Sequence, residues 1–293
     1  VPISVIGVPF QNPDNKEILM QELTQAIAGA LVRIRDQKPL IHHMTNFVVM
    51  NDTANVTLHL GALPVMAHAA EEVAEMVAHA GALVLNPGTL NPAWVDAMLI
   101  AGRRANELGI PIILDPVGAG ATQLRTTTNL RLLEELRIAV VRGNAGEIGT
   151  LAGAGGEVRG VESVGALRDP AAVAQRLARR HRTVVALTGK RDVMTDGERV
   201  LGVDNGHHWL TTLTGTGCMA TTAIAAFAAL EHDYLLAAAG GLTAYGIAAE
   251  LAATAARGPA SFKIAFFDQI YHLSPQQVTK HARIVDLRTA MEG

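Results

Sequence analysis

Short apolar runs and longer amphipathic stretches alternate along the chain. Residues 21–35 place apolar side chains at helical spacing and predict an amphipathic helix. Pro39-Leu40-Ile41 opens a short strand that ends at a polar group, His42, His43, Thr45 and Asn46. Helical patterns follow at 51–60, 71–80 and 92–108, the last stopped by Gly109. Between and after them, short runs at 62–66, 82–85, 110–114, 138–141 and 183–187 predict strands. The strand at 82–85 ends at Asn86-Pro87-Gly88-Thr89, that at 110–114 at Asp115-Pro116-Val117-Gly118, that at 138–141 at Arg142-Gly143-Asn144, and that at 183–187 at Thr188-Gly189. Residues 190–209 carry Asp196-Gly197 and Asn205-Gly206 between short alternating runs, which predicts hairpins.

Short apolar runs without internal alternation are typical of strands buried on both faces. With helices between them, they predict an α/β fold: a mostly parallel central sheet covered by helices on both sides. Ligands of such sheets bind beyond the carboxyl ends of the strands, where the polar groups above fall. No long linker or internal repeat divides the chain, so residues 1–293 are expected to form one domain. The first and last twenty or so residues are expected to be peripheral.

Composition sharpens this. Apolar residues make up 49% and aromatics only 4%, so the core must be built from Ala, Val, Leu and Ile. The net charge is −3, and the densest basic cluster, Arg176, Arg179, Arg180 and Arg182, reads as a solvated helix face; no nucleic-acid partner is expected. The single cysteine excludes an internal disulfide and fits a reducing cytoplasm. The apolar start at 1–10 lacks a basic leader, so no signal peptide is expected. Residues 234–256 are long and apolar enough for a membrane span, but Glu250 and the Ala/Gly/Thr content favour a buried helix, and no membrane partner is expected.

The candidate chemistry centres on Thr214-Gly215-Thr216-Gly217-Cys218, just before an apolar helical run at 219–230. Glycines allow backbone N–H groups to converge, and the helix adds its positive end. Together they make an anion hole suited to a phosphoryl group, although taken alone the segment is equally a turn before a helix. Asn144 and Glu147 have the spacing of a capping box and also the chemistry to hold Mg²⁺ directly or through water. Asp115 at its strand end is either a turn residue or a phosphate- and metal-facing carboxylate. Cys218 at a helix start is expected to have a lowered thiol pKa and to serve as a modest base or hydrogen-bond partner; its plain alternative is a small buried apolar residue. The neighbours His42 and His43 point to opposite faces, so one metal cannot readily take both.

Taken together, the segments resemble the hydroxyethylthiazole kinase family of the ribokinase-like fold. The resemblance rests on His43-Met44-Thr45-Asn46, Asn51-Asp52-Thr53-Ala54-Asn55, Gly61-Ala62-Leu63-Pro64-Val65-Met66, Asn86-Pro87-Gly88-Thr89-Leu90, Leu114-Asp115-Pro116-Val117-Gly118, Arg142-Gly143-Asn144-Ala145-Gly146-Glu147, Thr188-Gly189, Gly215-Thr216-Gly217-Cys218 and Gly258-Pro259-Ala260-Ser261-Phe262, in order over about 39–273. It implies a three-layer sandwich and phosphorylation by ATP of the hydroxyl of 4-methyl-5-(2-hydroxyethyl)thiazole, in thiamine salvage. It further implies that Asn46, Met66, Gly88, Thr89 and Gly215 lie around the thiazole, and that Arg142, Asn144, Thr188 and Gly215 serve ATP. Asp115 and Glu147 would serve Mg²⁺ and the phosphates, with Cys218, Gly215 and Gly217 at the reacting centre. A homotrimer with sites at subunit interfaces is implied, with Met66 serving a neighbouring subunit. Pro87 departs from the family's usual small aliphatic residue and stiffens that loop. Two rivals stay open: another ribokinase-like kinase, acting on a hydroxymethylpyrimidine or a carbohydrate, and a nucleotide- or thiazole-binding protein without catalysis.

Overall fold

The computed structural model describes residues 13–153, 157–159, 162–164 and 169–287. Helix α1 (Pro13–Gln37) leads into β1 (Leu40–Met44), α2 (Met50–Leu60), β2 (Leu63–Val65), α3 (Val73–Val77), β3 (Ala82–Leu85), α4 (Pro92–Leu108), β4 (Ile112–Leu114), α5 (Gln123–Glu135), β5 (Val140–Asn144) and α6 (Ala145–Leu151). The chain continues through β6 (Glu157–Arg159), β7 (Glu162–Val164), α7 (Pro170–His181), β8 (Val184–Thr188), β9 (Asp192–Thr195) and β10 (Val200–Val203). A short 3₁₀ segment (His208–Thr212) precedes α8 (Thr216–Ala228), α9 (Tyr234–Ala255), α10 (Pro259–His272), α11 (Pro275–His281) and β11 (Ile284–Asp286).

Nine strands form one sheet in the order β11-β10-β9-β8-β5-β4-β3-β1-β2, and β6 and β7 form a separate ribbon. The neighbours from β2 to β8 are parallel, and those from β8 to β11 are antiparallel. The strands are two-sided, as their unbroken apolar runs require. Ile41, Val84, Ile113, Val140 and Ala186 face a layer holding α1, α8, α9 and α10. Met44, Leu83, Leu85, Ile112, Leu114, Val141, Val185 and Leu187 face the layer of α4 to α7. From β1 the chain winds outward to β2, then returns to place β3 on the other side of β1. Adjacent loops therefore part at the carboxyl ends of β1 and β3, which opens a crevice there.

The Ala- and Gly-rich composition of α8 and α9 follows from their packing. A Cβ on Gly241 would stand 2.7 Å from the Ile224 backbone, so the two helices touch through main chain. Helix α9 is long and apolar enough to cross a membrane, but 83% of its most apolar window is buried inside the protein, as expected of a core helix.

Several expectations are corrected. Strands β1 and β5 run on into their polar groups, because His42 and His43 pair with Leu83 and Val84, and Arg142 to Asn144 pair with Ala186 to Thr188. The helix expected at 71–80 is only Val73–Val77. Asp196-Gly197 does turn the β9–β10 hairpin, but Asn205-Gly206 leads into the 3₁₀ segment, and β10 pairs instead with β11. The carboxyl-terminal stretch is less peripheral than expected: Val278 is buried and β11 completes the sheet edge, while residues 1–12 lie outside the described residues.

Candidate active site

The carboxyl ends of β1, β3, β4, β5 and β8 bring Asn46, Asn86, Asp115, Arg142 and Thr188 beside the start of α8. Asn86 is the hub. Its Nδ2 donates to Asp115 Oδ2 (3.1 Å) and to Cys218 Sγ (3.2 Å), and its Oδ1 accepts from Asn46 Nδ2 (2.9 Å). Asn46 Nδ2 also lies 3.7 Å from Cys218 Sγ. Thr221, one turn beyond Gly217 on α8, donates to Asp115 Oδ2 (2.9 Å).

Gly215 is the N-cap of α8 with φ +84°, and a Cβ there would stand 2.6 Å from Val49 Cγ1. Position and space both require glycine. Thr216, Gly217 and Cys218 form the first helical turn rather than a loop before it. Their N–H groups have no carbonyl one turn back, so they remain available to an anion. Two bonds hold this end rigidly: the buried Tyr245 hydroxyl donates to Thr216 O (2.8 Å), and Thr216 Oγ1 donates to Leu210 O (3.0 Å).

Arg142 lies across the same turn. Its Nη2 donates to Thr188 Oγ1 (2.6 Å), and its Nη1 is 3.9 Å from Asp115 Oδ1. Both Arg142 Nε and Asp115 Oδ1 are buried without a hydrogen-bond partner in the protein. Burial pushes the Asp115 carboxyl above the ordinary carboxylate value, against the pull of the Arg142 guanidinium and the hydrogen bonds from Thr221, Cys218 and Asn86.

Glu147 and Asn144 do form the capping box: Glu147 Oε2 accepts from Asn144 N (2.9 Å), and Asn144 Oδ1 accepts from Glu147 N (3.0 Å). Glu147 Oε1 accepts from Gly118 N (2.9 Å). Burial and then the nearby Asp115 charge raise the Glu147 pKa to about 7. This pair fits a hard divalent cation. Mg²⁺ commonly takes one or two carboxylates and fills its shell with phosphate oxygens and water. Asp115 Oδ1 accepts no hydrogen bond, with Arg142 Nη1 3.9 Å away, and two mutually repelling buried carboxylates would gain from a nearby cation. Among the described residues no group of three or more His, Cys, Asp or Glu gathers to hold a metal alone, so phosphate oxygens would have to complete the shell.

The thiol departs from expectation. A helix start lowers a thiol pKa, but burial and then the Asp115 charge push Cys218 up to about 12, outweighing the hydrogen bonds from Asn86 and Asn46. At neutral pH it is a protonated thiol.

Gly88 and Thr89 tie the turn after β3 to the turn after β1. Thr89 Oγ1 accepts from Phe47 N (3.2 Å), and a Cβ on Gly88 would stand 2.7 Å from Asn46 Nδ2. Met66 stands apart: it follows β2 at the sheet edge and belongs to none of these bonds. His42 and His43 are structural. His42 Nε2 donates to Ala67 O (2.8 Å). His43 Nε2 is 3.0 Å from Thr57 Oγ1, whose own hydrogen goes to Thr53 O, so His43 carries its proton on Nε2.

Asn86 and Thr221 were not singled out from sequence. Asn86 occupies the place after β3 that Asp115 occupies after β4, and Thr221 is a hydroxyl within an apolar helical run; both signals were present in the pattern.

A groove of about 770 Å³ at the other end of the strands is lined by Gly109 and Arg182, where α4 and α7 end. Helix carboxyl ends disfavour phosphate. Arg137 and Arg179 also line the groove, so charge alone does not separate the two places; the polar groups at the carboxyl ends of the strands favour the start of α8.

The fold and this site define a small-molecule kinase of the ribokinase-like class. The profile of the hydroxyethylthiazole kinase family matches residues 31–276. A hydroxyethylthiazole kinase of Roseiflexus sp. (strain RS-1) is 72% identical over 267 residues, covering 91% of this chain and 99% of that relative. The solved hydroxyethylthiazole kinase of Pyrococcus horikoshii OT3 superposes with a TM-score of 0.83 at 43% identity, covering 89% of this chain and 99% of that one. A ribokinase-like superfamily protein from Enterococcus faecalis V583 shares the fold alone, with a TM-score of 0.55 at 14% identity, over 87% of this chain and 84% of that one. The chain belongs to the hydroxyethylthiazole kinase family, and its reaction is ATP-dependent phosphorylation of an alcohol.

Proposed function

We propose the following division of labour for phosphorylation of the hydroxyethyl group of 4-methyl-5-(2-hydroxyethyl)thiazole, the salvage step of thiamine synthesis. ATP lies along the carboxyl ends of β5 and β8, with Arg142, Asn144 and Thr188 on its phosphates. The γ-phosphoryl group is received by the N–H groups at Gly215 and Gly217. The thiazole occupies the crevice beside Asn46, Gly88 and Thr89, with its hydroxyl directed at Cys218. The observation that carries this reading is the meeting of Arg142, Asp115 and Cys218 at the first turn of α8.

Phosphoryl transfer passes through a loose transition state, so positioning and charge stabilisation dominate, and a strong base is not needed. A neutral thiol suits that demand: Cys218 orients the attacking hydroxyl as a hydrogen-bond partner. Asp115 and Glu147 hold Mg²⁺, directly or through water; when bound, the ion neutralises charge on the phosphates. Arg142, beside Asp115, supplies the protein's own positive charge.

The active unit is a homotrimer of single-domain kinase chains working in the cytoplasm, each chain acting as one unit over residues 1–293. The exposed Leu63 (44%) on β2, the edge strand, and the exposed Phe47 (66%) and Val48 (64%) in the turn after β1 support an interface on this part of the surface, which would give Met66 a route to a neighbouring subunit's thiazole.

A coupled ADP-release assay with hydroxyethylthiazole and a panel of pyrimidine and sugar alcohols tests the whole reading. ADP release specific to the thiazole supports it. Turnover confined to another alcohol, or thiazole and ATP binding without ADP, would overturn it.

A further inference from the structure

Asn86 is 2% exposed, and each of its hydrogen-bonding positions is taken. Oδ1 accepts from Asn46 Nδ2 (2.9 Å) and from Gly88 N (3.2 Å). The two Nδ2 hydrogens go to Asp115 Oδ2 (3.1 Å) and Cys218 Sγ (3.2 Å). An amide has two donor hydrogens and two acceptor lone pairs, so none is left over. The orientation is thereby determined: a flipped amide would face two donors with NH₂ and a carboxylate with its oxygen. The four partners come from the β1 end, the β3 turn, the β4 end and the first turn of α8.

We infer that Asn86 is the positioning residue of the acceptor side, setting the Asp115 carboxylate, the Cys218 thiol and the Asn46 amide at fixed separations. It touches neither thiazole nor phosphate in this role; it acts through groups that do. The inference rests on the reading of Asp115 and Cys218 as site residues. Shape alone cannot do the work. Asn86→Asp keeps the outline of the side chain but removes both donor hydrogens and sets a second carboxylate against Asp115. Asn86→Ser shortens the side chain and withdraws it from Asp115 and Cys218.

The test is steady-state kinetics on Asn86→Asp, Asn86→Ser, Cys218→Ala and Asp115→Asn, and on Asn86→Ser combined with each of the last two. Melting temperature and calorimetric binding of hydroxyethylthiazole are followed in parallel. Misplacement of reacting groups by an ångström costs about 100-fold in turnover, and kcat of Asn86→Asp should fall by that order while the KM for ATP moves less than about threefold. In the Cys218→Ala and in the Asp115→Asn background, removing Asn86 should cost less than it does in the native protein, because in each one of the groups it positions is already altered. Should Asn86→Asp keep full kcat, the inference falls. It also falls if the losses in the combined variants multiply and track melting temperature, which is what a purely structural residue would give. If Cys218→Ala and Asp115→Asn themselves keep full turnover, the reading of the site fails first and the inference with it.

Discussion

Arg142 occupies the space that any side chain on Gly217 would need: a Cβ there would stand 2.5 Å from Nη1 and 3.1 Å from Nη2. Alanine is better than glycine inside a helix by about 1 kcal/mol, so Gly217→Ala is not costly for α8 itself. Its cost falls on the guanidinium, which must leave the first turn. The expected result is a protein of near-normal melting temperature whose KM for ATP rises about tenfold, the order of a lost charge-assisted hydrogen bond. Unchanged ATP kinetics would show that Arg142 does not need this position.

Arg142→Ala goes further. It removes the bond to Thr188 Oγ1 and the positive charge facing Asp115. Charge-assisted contacts to phosphate contribute roughly 1.5–3 kcal/mol each, so ATP affinity should drop by about one to two decades. Hydroxyethylthiazole binding, on the Asn46 side, should move far less. Equal losses for both ligands, measured by calorimetry, would contradict the assignment of Arg142 to ATP.

Much of this was legible in the sequence because strand ends announce themselves. A short apolar run that stops at Asp115, or at Thr188-Gly189, marks a carboxyl end without any structure. Distances between those ends are another matter. Asn86 and Cys218 are far apart in the chain and 3.2 Å apart in space, and only the strand order places them together. The sign of the Cys218 shift was misjudged for the same reason: the helix start is local and readable, whereas the burial and the Asp115 charge that overcome it come from other strands. The extent of β1 was also hidden, since a buried pair of histidines reads as a polar break until Ala67 and Thr57 are seen to take one ring nitrogen of each.

Those histidines imply a pH dependence of stability. His43 is fully buried, and burial first, then the charges of His42 and His68, lower its pKa to about 3 from the ordinary 6.5. The unfolded chain takes up the proton at the ordinary value, and the folded one does not. The stabilisation is therefore complete above pH 6.5 and is lost as pH falls toward 3, at about 1.4 kcal/mol per unit for this one group. Denaturant melts at pH 7, 6 and 5 should show the native protein weakening more steeply than His43→Gln, whose amide can still donate to Thr57. Parallel slopes would mean that His43 titrates alike in both states.

The magnitude of the Cys218→Ala loss separates two roles for the thiol. A general base contributes about 10²–10⁴ in rate, whereas a neutral hydrogen-bond partner contributes about 1 kcal/mol, close to a factor of five to ten. With the thiol pushed up to about 12, the smaller loss is expected. Cys218→Ala should therefore fold normally and turn over about tenfold more slowly. Cys218→Asp puts a second carboxylate beside Asp115, whose carboxyl is already raised by burial, and the like charge raises one of the pair further. The unprotonated partner can still accept from the thiazole hydroxyl, and the Asn86 and Asn46 amides can still donate to it. Substantial turnover should survive. Single-turnover measurements on both variants decide the matter: a loss beyond about 100-fold in Cys218→Ala would restore the base, and a folded but inactive Cys218→Asp would remove position 218 from the acceptor side.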